Sequence, residues 1–290
     1  MKMLINLLPF DIEASLLLAS YHVPLCSYSR WRAMKVVILA GGQGTRIREE
    51  SEYRPKPMVE IGNRPILWHI MKTFSHYGHK DFIVCAGYKG SMIKDYFLNL
   101  NPNIMDFTID FSLSKVDPVF YGKSEKIDWK VTVVDTGLET QTGGRINAIE
   151  DFIENEPFFV TYGDGLADIN LTKLENFHRD HGKIGTVTAI KPLSRFGIME
   201  IDEKSNVKLF REKPLIEDWV NGGFFIFQPE IFNYLNKKSI LEKDPLINLA
   251  SDSELMAFKH EGFWQPMDTF RESQMLQKMW DEGVAPWKVW

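Results

Sequence analysis

Cysteine is nearly missing from this chain, with two among 290 residues, Cys26 and Cys85, far apart and without C-x-x-C spacing. No thiolate set is available for a zinc or redox site. Cys85, inside Phe82-Ile83-Val84-Cys85-Ala86, reads as a buried strand residue of a protein kept in a reducing compartment. The seven histidines show neither H-x-x-x-H nor H-E-x-x-H spacing, so His69, His178 and His181 read as structural rather than ligating. Positive charge is not in excess. Lys and Arg number 34 against 39 Asp and Glu, a net charge of -5, which offers nothing to nucleic acid. Long apolar runs are missing as well. Asp11 and Glu13 break the apolar residues near the start, leaving no 18-residue span to cross a membrane and no unbroken signal-peptide core. A cytoplasmic protein is expected. No linker, low-complexity tract or internal repeat divides the chain, and Met34-Lys35 directly precedes an apolar run. Residues 34–290 are therefore expected to form one domain, and residues 1–33 a weakly ordered N-terminal extension.

What is present begins with Val36-Val37-Ile38-Leu39-Ala40-Gly41-Gly42-Gln43-Gly44-Thr45-Arg46. An apolar run without alternation suits a parallel strand covered on both faces, and glycines directly after it let backbone N–H groups approach a ligand. Arg46 and Lys56 add two positive charges, a complement to a triphosphate. The dinucleotide fingerprint fails, because Ile47 stands where G-x-G-x-x-G needs its third glycine; the Walker A loop fails, because no Lys followed by Ser or Thr stands after Gly44. What remains is L-A-G-G-x-G-T-R with Lys56-Pro57 about ten residues later.

The rest of the chain reads as α/β. Pro65, then Ile66, Leu67, Ile70 and Phe74, with Gly78 near the stop, describe an amphipathic helix, and an apolar strand over residues 82–86 follows at once. Strand, helix, strand is the unit of a parallel sheet with right-handed crossovers, whose ligands bind at the carboxyl ends of the strands. Further strands are expected over 158–162, 185–190 and 223–227, and a helix capped by Asn170 with Gly182 after it. Phe107, Ile109, Phe111 and Leu113 alternate with polar residues, which predicts a half-buried strand in an antiparallel insertion between about 104 and 130.

Two aspartates stand out. Asp164, in Tyr162-Gly163-Asp164-Gly165, falls where an apolar strand ends, and Asp268 lies in the aromatic setting Phe263-Trp264-Gln265-Pro266-Met267-Asp268-Thr269. An Asp between glycines also suits a plain turn, but two such carboxylates with phosphate oxygens and water make a magnesium site.

These segments resemble the sugar-phosphate nucleotidyltransferases. The first loop and Glu212-Lys213-Pro214 mark the family at large. Asn221-Gly222-Gly223 also carries the resemblance, which runs from about Met34 to the C-terminal region, and Thr142-Gly143-Gly144-Arg145, Gly163-Asp164-Gly165 and Trp264-Gln265-Pro266-Met267-Asp268 are similar to the cytidylyl branch. Gln43 and Ile47 depart from the family, where leucines are common. The resemblance implies a Rossmann-like, mostly parallel sheet flanked by helices, of the nucleotide-diphospho-sugar transferase type, with a small antiparallel insertion. It also implies CTP and α-D-glucose 1-phosphate as substrates, CDP-glucose and pyrophosphate as products, Mg2+ as cofactor and a homo-oligomer, hexameric in the family. Relatives supply CDP-glucose to bacterial surface polysaccharide such as O-antigen.

Carried over residue by residue, Arg46 and Lys56 are the expected catalytic cations. Leu39, Ala40, Gly41, Gly42, Gly44, Thr45, Thr142, Gly143, Arg145 and Gly163 would bind nucleotide. Glu212, Lys213 and Asn221 would bind the sugar phosphate, and Asp164 and Asp268 the metal. An already ionised phosphate oxygen needs no base, which fits the lack of a nucleophile and base pair. The same fold with UTP or dTTP, or an idle nucleotide-sugar sensor or assembly subunit, are the competing readings. The complete charged set argues against the sensor.

Overall fold

The computed structural model divides after Arg32 into two units. Within the second, Ala33–Trp290, it describes residues 33–44, 52–100, 105–112, 117–121 and 127–290. Residues 1–32, the bulk of the expected extension, lie outside the described residues, as do Thr45, Arg46 and Leu113. Strand β1 (Lys35–Ala40) leads through the short pair β2 (Glu60–Ile61) and β3 (Arg64–Pro65) into helix α1 (Ile66–His76) and β4 (Asp81–Ala86). Helix α2 (Gly90–Leu98), β5 (Asp106–Thr108), β6 (Val119–Tyr121) and β7 (Lys130–Asp135) follow. Next come α3 (Thr142–Asn147), β8 (Phe158–Tyr162), β9 (Gly165–Ala167), α4 (Leu171–His181) and β10 (Gly185–Ile190). The chain ends with β11 (Ile198–Ile201), β12 (Val207–Arg211), β13 (Val220–Phe227), α5 (Asp244–Ser251), β14 (Leu255–His260), β15 (Trp264–Pro266) and α6 (Phe270–Asp281).

Seven strands form the central sheet in the order β14-β10-β13-β8-β1-β4-β7, parallel except that β13 runs against both its neighbours. β1 lies at its heart because every residue after Lys35 is apolar and buried. Its alternate side chains serve two layers. Val36, Ile38 and Ala40 pack with Leu67, Ile70 and Phe74 of α1, while Val37 and Leu39 pack with Ile146, Ile231 and Leu249 on the other face. Asn170 caps α4 by accepting from the Lys173 N–H at 2.9 Å, and Gly182 ends that helix in the left-handed conformation at φ 63. Among the described residues no helix is long and apolar enough to cross a membrane.

The insertion differs from its expected form. β5 stops at Thr108, pairing antiparallel with β6 through Phe107 and Phe120, and Phe111 is 81% exposed. The alternation was real, but among the described residues β5 pairs only with β6 and its three residues are exposed rather than half-buried. β13 begins three residues earlier than expected, so that Gly222 and Gly223 fall inside the strand beside its register shift against β10.

Two histidines expected to be structural are fully buried. His69 holds Nε2 2.8 Å from the Ile61 carbonyl and accepts at Nδ1 from the Trp287 indole N–H at 3.4 Å, so the neutral ring satisfies both partners. His178 lies 2.7 Å from the Thr186 hydroxyl and 3.0 Å from Gln228 Nε2. Burial pushes both rings from 6.5 down to about 4. The unfolded chain takes up protons near pH 6.5 and the folded one does not until about 4, so stability is full above pH 6.5 and falls as pH drops through that window. The expected loss at pH 5 is about 2 kcal/mol per histidine, read as a lower midpoint of urea unfolding. A midpoint equal at pH 7.5 and pH 5 would show that the rings are not held neutral.

Candidate active site

A cleft of about 450 Å3 opens at the carboxyl ends of β1 and β8 and along the chain following β7, within the size range of small-molecule sites. Residues 41–44 turn across the end of β1. Among the described residues no atom beyond the chain neighbours lies within 4 Å of a Cβ built on Gly42, and Gly44 has φ 63, a backbone that can approach a ligand closely. Gly41 is glycine for a different reason. A Cβ there would stand 2.2 Å from the guanidinium carbon of Arg145.

Arg145 is buried and ties three strand ends together. Its Nη1 donates to the Ala86 carbonyl at 3.2 Å, the Thr136 hydroxyl at 2.6 Å and the Gly137 carbonyl at 2.8 Å, while Nη2 donates to Gly41 at 2.9 Å and Leu138 at 3.4 Å. Its guanidinium thus shapes the loops after β1, β4 and β7, and is not left facing a base. Thr142 is similarly engaged: its hydroxyl donates to Glu242 at 2.7 Å and accepts from the Leu241 N–H at 2.9 Å. A Cβ on Gly143 would meet Ser239 at 2.8 Å, and one on Gly144 the Lys237 carbonyl at 2.5 Å. The Thr-Gly-Gly-Arg segment therefore holds its place through its side chains and close packing, which leaves mainly its backbone to face the cleft.

The charged centre comes from three distant parts of the chain. Lys56 opens a single 3-10 turn, Lys56–Met58, that starts after Pro55. Gly163 follows β8 so close to this turn that a Cβ would lie 3.0 Å from both Pro57 Cγ and the Leu39 carbonyl. β9 then pairs with β15, and the Met267 N–H donates to the Asp164 carbonyl at 2.8 Å, which brings Asp164 and Asp268 to one point. Asp268 leads into the capping box of α6, its N–H donating to Glu272 Oε2 at 2.7 Å.

Between the two carboxylates stands the Lys56 ammonium, 2.5 Å from Asp164 Oδ2 and 2.6 Å from Asp268 Oδ1. The three side chains are 11%, 28% and 18% exposed. Burial alone would lower the Lys56 pKa, but the carboxylates, Asp164 foremost, more than reverse this and hold it above lysine's usual value. Lys56 is therefore a fixed cation. Two carboxylate oxygens turned on one cationic point fit a magnesium ion that takes its remaining ligands from phosphate and water. Among the described residues no group of three or more His, Cys, Asp or Glu forms a self-sufficient metal site.

Leu39, Ala40, Gly41, Gly42, Gly44, Lys56, Thr142, Arg145, Gly163, Asp164 and Asp268 line this cleft together. Glu212 and Lys213 do not. They follow the β11–β12 hairpin, exposed and 3.6 Å from each other. Asn221 stands between, its amide donating to the Tyr162 hydroxyl at 3.2 Å. Sequence reasoning missed Arg195, whose Nη2 lies 3.3 Å from Glu272 and 3.7 Å from Asp268 Oδ2, and Glu242; no local pattern marks either.

The family model described as nucleotidyl transferase matches residues 35–265. A glucose-1-phosphate cytidylyltransferase of Salmonella typhi is 47% identical over 260 residues, covering 89% of this chain and 100% of that protein. A probable glucose-1-phosphate cytidylyltransferase of Bacillus subtilis is 44% identical over 259 residues, with the same two shares. Among solved structures, HddC from Yersinia pseudotuberculosis has a TM-score of 0.63 over 85% of this chain and 99% of its own, at 24% identity. UDP-glucose pyrophosphorylase complexed with UDP-glucose has 0.61 over 87% and 100%, at 18% identity. At these identities the two structures speak for the fold alone.

Proposed function

The chain belongs to the nucleotidyl transferase family, and we propose that it transfers the cytidylyl group of CTP to α-D-glucose 1-phosphate, giving CDP-glucose and pyrophosphate. The substrate pair is supported by relatives of that name aligned over their whole length. The chemistry is supported by one observation, the Lys56 ammonium held between Asp164 and Asp268 at the carboxyl end of the sheet.

A phosphate oxygen of the sugar phosphate bonds to the α-phosphorus as the bond from that phosphorus to the bridging oxygen breaks. No proton moves, so the protein's tasks are alignment and charge neutralisation. Lys56 would turn its ammonium to the crowded α-phosphate. Backbone N–H groups of residues 42–45, with Arg46, would hold the β and γ phosphates. Lys213 would pair with the sugar phosphate, and Glu212 and Asn221 with sugar hydroxyls. A magnesium ion held by Asp164 and Asp268 would supply Lewis-acid neutralisation of phosphate charge. With the Thr142 and Arg145 side chains occupied, cytosine would be selected by backbone groups of residues 138–145.

The test is pyrophosphate release by the purified protein with α-D-glucose 1-phosphate and magnesium, comparing CTP, UTP, dTTP and ATP. CTP should exceed UTP by about ten-fold or more, the worth of one unpaired buried hydrogen-bonding group. Equal use of UTP would keep the chemistry and discard the base selection; no release with any nucleotide would discard the enzyme.

A further inference from the structure

Beside the charged centre runs a polar network centred on Glu242, a carboxylate to which the reaction above gives no part. Tyr162, two residues before Asp164, lines the cleft with its ring packed on Gly223, where a Cβ would fall 2.4 Å from the ring. Burial and the neighbouring Glu242 carboxylate push its phenol well above the ordinary range, so it keeps its proton and donates a hydrogen bond to Glu242 Oε1. The same hydroxyl accepts from Asn221 Nδ2 at 3.2 Å, and Asn221 is held in orientation by the Gly223 N–H donating to its Oδ1 at 2.8 Å. The other oxygen of Glu242 accepts from the Thr142 hydroxyl at 2.7 Å.

Glu242 is exposed, but the chain that carries it is anchored. The preceding residues are joined to α3 by the Gly144 N–H donating to the Ser239 carbonyl at 2.9 Å and by the Leu241 N–H donating to Thr142 Oγ1 at 2.9 Å, and Leu241 is fully buried. One carboxylate thus receives one hydrogen bond from each wall of the cleft: Thr142 on the side of the nucleotide loop, Tyr162 with Asn221 on the side of the sugar.

Building on the functional reading above, we propose that Glu242 is a positioning residue that fixes the two walls of the cleft relative to each other, through Thr142 on one and Tyr162 on the other. A residue that touched one substrate would move the KM of that substrate alone. A strut between the walls moves both.

The experiment is steady-state kinetics of Glu242→Ala and Glu242→Gln with CTP and α-D-glucose 1-phosphate each varied, beside a melting curve. Glu242→Ala should raise both KM values by about ten-fold, as loss of hydrogen bonds to a charged acceptor does, with kcat lowered by less than about three-fold and the melting temperature unchanged. Glu242→Gln, which keeps one acceptor, should fall between. Thr142→Val and Tyr162→Phe together should add little to Glu242→Ala, because all three act through one set of bonds. A change in one KM only, or in neither, overturns the proposal, and so does a rise in KM that merely follows a lower melting temperature. Wild-type protein that releases no pyrophosphate sinks the functional reading instead; calorimetric titration of wild type and Glu242→Ala with CTP then decides the strut, equal affinities overturning it.

Discussion

Asp164→Asn is expected to lower turnover by about a hundred-fold or more while the fold stands, as loss of an electrostatic stabiliser at a reacting centre does. The substitution keeps the shape of the side chain. The backbone carbonyl that anchors Met267 is untouched, so β9 and β15 stay paired. What is lost is one of the two negative charges that face Lys56 at 2.5 and 2.6 Å. The magnesium concentration needed for half-maximal rate should rise together with the loss in kcat, since one carboxylate remains to hold the ion. Pyrophosphate release measured across a magnesium titration gives both numbers. Near-normal turnover at saturating magnesium would mean that Asp164 is a turn residue and the ion sits elsewhere.

Lys56→Ala should cut the rate by a similar or larger factor, about a hundred- to a thousand-fold, and for a different reason. Among the described residues the ammonium is the cation shown in contact with both carboxylates, and without it Asp164 and Asp268 face one another at most about 5 Å apart with like charge, Arg195 standing 3.7 Å from Asp268 alone. A divalent ion would relieve this, so magnesium should raise the melting temperature of Lys56→Ala by more than it raises that of the wild type. The rate should stay low even with magnesium saturating, because the charge that develops on the α-phosphate has lost its partner. If the variant only melts earlier and turns over normally below its melting point, Lys56 is a structural residue.

The elements legible beforehand are those whose cause is local. The apolar run of β1 needs two covering layers whatever surrounds it, Asn170 caps α4 with its own side chain, and Gly182 takes a left-handed turn that other residues resist. The aspartates could be singled out because a strand end and its glycines are neighbours in sequence. The insertion shows the limit. Alternation in residues 107–113 describes which face a strand would bury, and only the tertiary structure shows that Phe111 stays exposed. The direction of β13 was equally out of reach, because a strand's apolar pattern is the same whichever way it runs.

The sequence by itself determined the strand β1 with its glycine loop, the helices α1 and α4, the family resemblance and the identity of the charged residues, since propensity, periodicity and motif spacing act over a few residues. Only the tertiary structure decided what those residues do to one another. Lys56 meets Asp164 across 108 positions of sequence and Asp268 across 212. Gly41 is glycine to admit Arg145, 104 positions away, and Thr142 is bound to Glu242, 100 positions on. Such contacts arise when chain segments with no local claim on each other are packed against one sheet, and hydrogen bonds and ion pairs then form wherever that packing sets donors against acceptors.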